Sequence, residues 1–156
     1  MLKYVHGNNK GTGSQLLVWL VAPQHSHDEG HVSLSICRQT TVGSDGEGHF
    51  FDTGYVTAHL NCAQVAHVLE VLAGQKEQIL DGRGLFRRFA NGSNFTLHVD
   101  RVSEPFEGFA VHVIGRKNDE ERHGRIVLTQ TEGESLRISL SSAMGVAAFG
   151  ANGVAQ

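Results

Sequence analysis

Proline is scarce in this chain, 2 residues against 19 glycines, and charged residues make up only 19 % of it. That balance excludes a disordered polypeptide and suits a compact protein with many tight turns. Cysteine is as sparse: Cys37 falls in an alternating run, Cys62 opens a helical one, and no C-x-x-C pair exists. Buried free thiols are therefore expected, not a disulfide framework. Long apolar runs are missing too. The longest, Leu16 to Ala22, is far short of the ~20 residues a spanning helix needs, and no cleavable signal pattern precedes it. No Walker-type loop, G-x-G-x-x-G turn, H-E-x-x-H or G-x-S-x-G elbow occurs. The expectation is a soluble, non-secreted, non-enzymatic protein without cofactor, metal or membrane partner, in the cytoplasm of a prokaryotic or virus-infected cell.

What the sequence does hold is one strand written nearly twice. EGHVSLSICRQ at 29–39 is answered by EGFAVHVIGRK at 107–117, with Glu29-Gly30 matched by Glu107-Gly108, Ile36 by Ile114 and Arg38 by Arg116. The flanks follow suit. GSQLLVWLV from Gly13 and GSNFTLHVD from Gly92 read as first strands, HFFDTG and RIVLTQ as third strands, YVTAHL and SLRISL as fourth strands. In YVTAHL, Val56, Ala58 and Leu60 alternate with Thr57 and His59; in SLRISL, Leu136, Ile138 and Leu140 alternate with Arg137 and Ser139. Period two of this kind marks a sheet with one apolar face. Asn61 then caps a helix that ends at Gly74 and carries Val65, Val68, Leu69 and Leu72 on one face. Its counterpart, SSAMGVAAFGANG, reads as a shorter helix capped by Ser141 or Ser142.

The two copies do not align cleanly. Identities pair the matched strands at an offset of 78, whereas Val32, Leu34 and Ile36 alternate in step with Val111 and Val113 at 79. A slip of one residue exchanges the faces of a strand, so a bulge in one copy is a candidate explanation. GNNKGTG reads as a flexible segment leading into the first strand. The stretch 75–91, with Arg83, Phe86, Arg87, Arg88 and Phe89, reads as a linker crossing a surface. The predicted fold is α+β: a single domain over 1–156 made of two tandem β-β-β-β-α repeats, about 13–74 and 92–152, joined by linker 75–91. The repeats are expected to form two antiparallel sheets with pseudo-twofold symmetry.

A doubled four-strand-and-helix unit resembles the Whirly family and its relatives, including the transcriptional positive-coactivator fold, over roughly 13–152. The resemblance implies binding of single-stranded nucleic acid on antiparallel sheets. The Lys-Gly-Asn-Tyr-Leu type of segment associated with Whirly proteins is absent, so no binding residue is carried over from the family.

Charge is unevenly distributed: 1–78 holds four Lys/Arg and seven Asp/Glu, whereas 79–156 holds nine of each. A single strand is held by cations on its phosphates and by aromatic faces under its bases, each stacked base contributing ~1–3 kcal/mol. Arg38, Arg87, Arg88, Arg116, Lys117, Arg125 and Arg137 are the candidate nucleic-acid-binding residues. Arg87, Arg88 and Arg137 stand out because no acid lies within two residues of them, while RKNDEER can neutralise its own cations. Trp19, Phe50, Phe51, Tyr55, Phe106 and Phe109 are candidate platforms, although Trp19, Phe50, Phe51 and Phe109 suit a core better. The expected partners are single-stranded DNA or RNA and further copies of the chain, in replication, recombination or transcription. Two alternatives stand beside this: an assembly protein that oligomerises through its β-unit, and a metal-dependent β protein using His25, His27 and His31, whose H-x-H spacing resembles that of cupins.

Overall fold

The computed structural model describes residues 1–23, 25, 29–44, 46, 48–50 and 54–149. In chain order the elements are β1 (Leu2–His6), β2 (Ser14–Val21), β3 (His31–Arg38), β4 (Thr41–Val42), β5 (Gly48–His49), β6 (Val56–Leu60) and α1 (Cys62–Leu72). A 3-10 turn at Ile79–Gly82 follows, then β7 (Leu85–Arg88), β8 (Asn94–Val102), β9 (Gly108–Lys117), β10 (Glu120–Thr129) and α2 (Gln130–Phe149). One antiparallel sheet has the order β1-β2-β3-β6 and the other β10-β9-β8-β7, while β4 and β5 pair apart from both. The class is α+β with two four-stranded antiparallel sheets, each followed by a helix, as the sequence predicts. Several strand assignments differ.

The first strand of each sheet lies upstream of the predicted one. LKYVH forms β1, pairing Tyr4 with Leu16, and GNNKGTG is the hairpin loop to β2, not a flexible lead-in. Asn8 closes that loop by accepting through Oδ1 from the backbone N–H of Lys10 (3.0 Å) and Thr12 (3.1 Å). The stretch predicted as a linker contributes β7, whose Phe86 pairs with Thr96 and Arg87 with Phe95. Within HFFDTG, His49 lies in the minor hairpin and Phe50 is half-buried, while 51–53 lie outside the described residues.

SLRISL is a helix, not a strand. Leu136 and Leu140 are buried one helical turn apart, and Ile138 between them is 54 % exposed. The helix starts at Gln130 because Thr129 and Glu132 form a capping box: the Glu132 N–H donates to Thr129 Oγ1 (3.1 Å) and the Thr129 N–H donates to Glu132 Oε1 (2.9 Å). The predicted caps, Ser141 and Ser142, lie inside the helix and donate back to the carbonyls of Arg137 and Ile138. In α1 the Asn61 cap is present as a reciprocal box with Gln64, and Val65, Val68, Val71 and Leu72 are buried; Leu69 is only half-buried.

The inner faces of both sheets share one core. Leu16, Leu34, Ile36 and Ala58 from the first and Phe95, Leu97, Val111 and Val113 from the second are all buried in it. Glycines let the sheets approach: a Cβ at Gly124 would meet Ile36 Cβ at 2.8 Å, and one at Gly115 would meet Val56 Cγ1 at 2.9 Å. The helices lock the halves together. From α2, Ser135 Oγ accepts from the Tyr4 hydroxyl (2.9 Å) and the Ala147 carbonyl accepts from the Gly30 N–H (2.7 Å), so the last helix covers the first sheet.

β3 and β9 are each the third strand in sequence of their sheet, and the inward residues align at the offset of 79. Val32 and Leu34 face the core as Val111 and Val113 do, while Ile36 corresponds to Gly115. The identities at 78 therefore pair residues on opposite faces: Ile36 is fully buried, whereas Ile114 lies between Thr96 and His123 on the outer face.

Candidate nucleic-acid interface

β6 is one edge of the first sheet, and it packs against β8, β9 and β10 of the second. A cleft of about 520 Å³ opens there, lined by Tyr55, Thr57, His59 and Phe89 and by Arg116, Lys117 and Arg122. A second hollow of about 430 Å³ continues it, sharing His59 and Phe89 and adding Glu29, His31, Asn61 and Arg87. The two make one trough between the sheets.

Aromatic faces follow one another along this trough. The His31 and His59 rings meet edge-on at 5.3 Å, His59 and Phe89 at 5.9 Å, and the Arg87 guanidinium carbon stands 5.1 Å from the Phe89 centroid. Arg87 Nη1 also donates to the His59 carbonyl (2.9 Å), which fixes its direction. The His59 pKa is lowered, first by burial and then by the neighbouring His31 and Arg87 charges. Its Nδ1 is hydrogen-bonded to Ser33 Oγ at 2.9 Å. At neutral pH His59 is thus an uncharged ring facing the trough.

Of the seven predicted cations, Arg87, Arg116 and Lys117 line the trough. Arg38 is exposed at the end of β3, in a shallower depression shared with Arg122 and His123. Arg88 and Arg125 are exposed on the outer face of the second sheet, by the register that pairs Arg88 with Asn94 and Arg125 with His112. Arg137 is not on a strand. It lies on α2, bound to Glu134 of the preceding turn through Nε (2.8 Å), because helical geometry brings residues three apart together. The local neutralisation expected of RKNDEER is partly present, with Arg116 on Glu121 (2.7 Å) and Arg122 on Glu120 (3.2 Å). Exposed pairs of this kind are screened by water and contribute little, so a phosphate can replace either acid.

Among the aromatics, Phe109 is core and Trp19 and Phe50 are half-buried, while Phe51 is outside the described residues. Tyr55 lines the trough, its hydroxyl accepting from Gln15 Nε2 (2.8 Å). Phe106 lies in the loop between β8 and β9 and is exposed. His59 and Phe89 were not among the predicted platforms. FRRFANGSNF, which alternates rings and cations, was the available signal for Phe89. The metal reading gains no ligand set: His25 is exposed, His27 lies outside the described residues, His31 meets His59 edge-on, and among the described residues no three His, Cys, Asp or Glu side chains are grouped to hold an ion.

No family model and no curated protein sequence matches the chain. Solved structures do. WHY1 from Arabidopsis thaliana superposes with a TM-score of 0.72 at 14 % identity, over 99 % of this chain and 90 % of that one. The fold is Whirly-like. The plant transcriptional regulator PBF-2 aligns at 0.64 and 14 % identity, over 92 % of this chain and 88 % of that one. MRP1/MRP2 of a trypanosome align at 0.61 and 19 % identity, over 92 % and 82 %. The Whirly-like arrangement is thus reached at an overall identity of 14 %. Among the described residues no helix is long and apolar enough to cross a membrane.

Proposed function

We propose that the chain is a non-catalytic single-stranded nucleic-acid-binding protein, and that the trough between its sheets is the interface. One observation carries this: the rings of His31, His59, Tyr55 and Phe89 line the same trough as Arg87, Arg116 and Lys117. Bases stack on such faces without sequence preference, while the cations take the phosphates. The Whirly-like fold adds support, and of the settings in replication, recombination or transcription the likeness to PBF-2, described as a plant transcriptional regulator, favours the last. Apart from the β4–β5 hairpin, the shared element order of Leu2–Leu72 and Leu85–Phe149 supports an internal duplication.

A fluorescence-anisotropy titration with an oligo-dT strand at several salt concentrations tests the reading. Three phosphate contacts give a slope of log K against log salt of about -2 for a single strand. Replacing Arg87, Arg116 and Lys117 by Ala flattens that slope, and Phe89→Ala weakens binding by ~1–3 kcal/mol at every salt concentration. Duplex DNA competes poorly. Saturable binding absent at low salt, or intact in the triple variant, overturns the reading.

We also infer that the chain self-associates, since Val5 on edge strand β1 is 46 % exposed and Ile138 on α2 is 54 % exposed. Light scattering at micromolar concentration is expected to show a mass above 16.9 kDa, and Ile138→Glu to lower it.

A further inference from the structure

The outer face of the second sheet carries a cluster that the trough leaves unused. His98 on β8 is directly opposite His112 on β9, and His112 is opposite Arg125 on β10. His123, two residues along β10, closes the row, with His112 Nε2 and His123 Nδ1 3.1 Å apart. Ring centroids are 6.3 Å apart for His98 and His112 and 5.3 Å for His112 and His123. Around this row lie Phe86, 60 % exposed, and the exposed Arg88, neither of them part of the trough.

We propose that this face is a second phosphate-binding surface, which a single strand leaving the trough past Arg116 reaches, and that the histidine row there takes up protons when the strand lies across it. The inference rests on the trough reading above. The path is set by register. Arg116 lines the trough yet pairs with Asn94 and Glu121, the row adjoining Phe86, Thr96, Ile114 and His123, beyond which lie His98, His112 and Arg125.

The charges that face His112 come from the strands on both sides of it. Burial, then His123, His98 and Arg125, hold the His112 pKa below its ordinary value, while Asp100 on β8 opposes them. Asp100 Oδ1 is buried without a hydrogen-bond partner among the described groups, an acceptor waiting for a donor at the end of the row. On the other side Glu121 accepts from Arg116 (2.7 Å) and lies 3.2 Å from His123 Nε2. β7 brings Arg88 and no acid. In the free protein His112 resists protonation; a phosphate above it adds the negative charge that stabilises its imidazolium form.

The test is oligo-dT anisotropy from about pH 8 to about pH 5.5, with calorimetry in two buffers of different ionisation enthalpy near pH 6.5. Affinity is expected to rise about tenfold per pH unit for each proton linked to binding. The salt slope should steepen by about 0.7 per added phosphate, and the calorimetric heat should depend on the buffer. His98→Gln/His112→Gln should bind as the wild type does at about pH 8, which also shows that it folds, and lose most of the rise on acidification. Binding that is independent of pH, no buffer dependence, or a double variant with the full pH response overturns the second surface while leaving the trough reading intact. A strand that binds at no pH removes both.

Discussion

A neutral imidazole is built into the junction of the sheets, and its consequence for stability has a definite sign. The folded His59 pKa lies below the ordinary value, chiefly through burial, so the unfolded chain binds a proton that the native state resists. Stability contributed by such a group is complete above the unfolded pKa and is lost as pH falls below ~6.5. Thermal unfolding followed from about pH 7.5 to about pH 5 should therefore show a falling midpoint, and His59→Gln should reduce the fall. Part remains, because His112 is shifted in the same direction. At this scale the sequence was legible where a residue's role is local. Asn61 reads as a cap and is one; Cys37 reads as a buried thiol and is one. Arg137 was misread because its partner, Glu134, is a neighbour only on a helix.

That error belongs to the elements. Leu136, Ile138 and Leu140 satisfy period two, and Leu136 and Leu140 also satisfy period four; alternation alone cannot decide. The deciding signal was the Thr129 to Glu132 capping box, which sets the helix start at Gln130, six residues before Leu136, so that Ile138 turns to the exposed side. β1 and β7 were missed for a different reason. Edge strands of four or five residues carry only two or three inward side chains, too few for a periodic pattern to stand out. Close contacts between elements lie deeper still, since a glycine that admits a neighbour looks in sequence like one that makes a turn. Gly133 of α2 is such a position: a Cβ there would meet the Phe109 ring, with Cε2 at 2.5 Å. Gly133→Ala would normally strengthen a helix by ~1 kcal/mol. Overpacking against Phe109 outweighs this, and a net loss of ~1–2 kcal/mol in urea denaturation is expected. Stabilisation by the alanine would show that Phe109 moves aside freely.

At the scale of the whole molecule, the two halves that share an element order do not stand as two bodies. α2, at the end of the second half, covers the first sheet: Leu140 lines the same small hollow as Leu2, Trp19 and Val32, and His6 Nε2 meets the Glu132 carboxylate at 2.8 Å. Neither sheet can keep its inner face dry alone, because each depends on residues from the other half of the chain. Unfolding should therefore be a single cooperative transition. Trp19, the one tryptophan, reports the first sheet, whereas far-UV circular dichroism reports all elements together. The two signals should superimpose in urea. Leu140→Ala empties a site that is 1 % exposed on α2, and such truncations cost ~2–5 kcal/mol. Both midpoints should fall by the same amount, although the change lies more than a hundred residues from Trp19 in sequence. A tryptophan transition that precedes the loss of circular dichroism, or a Leu140→Ala variant in which only one signal shifts, would show that the first sheet unfolds on its own and that α2 is not what joins the halves.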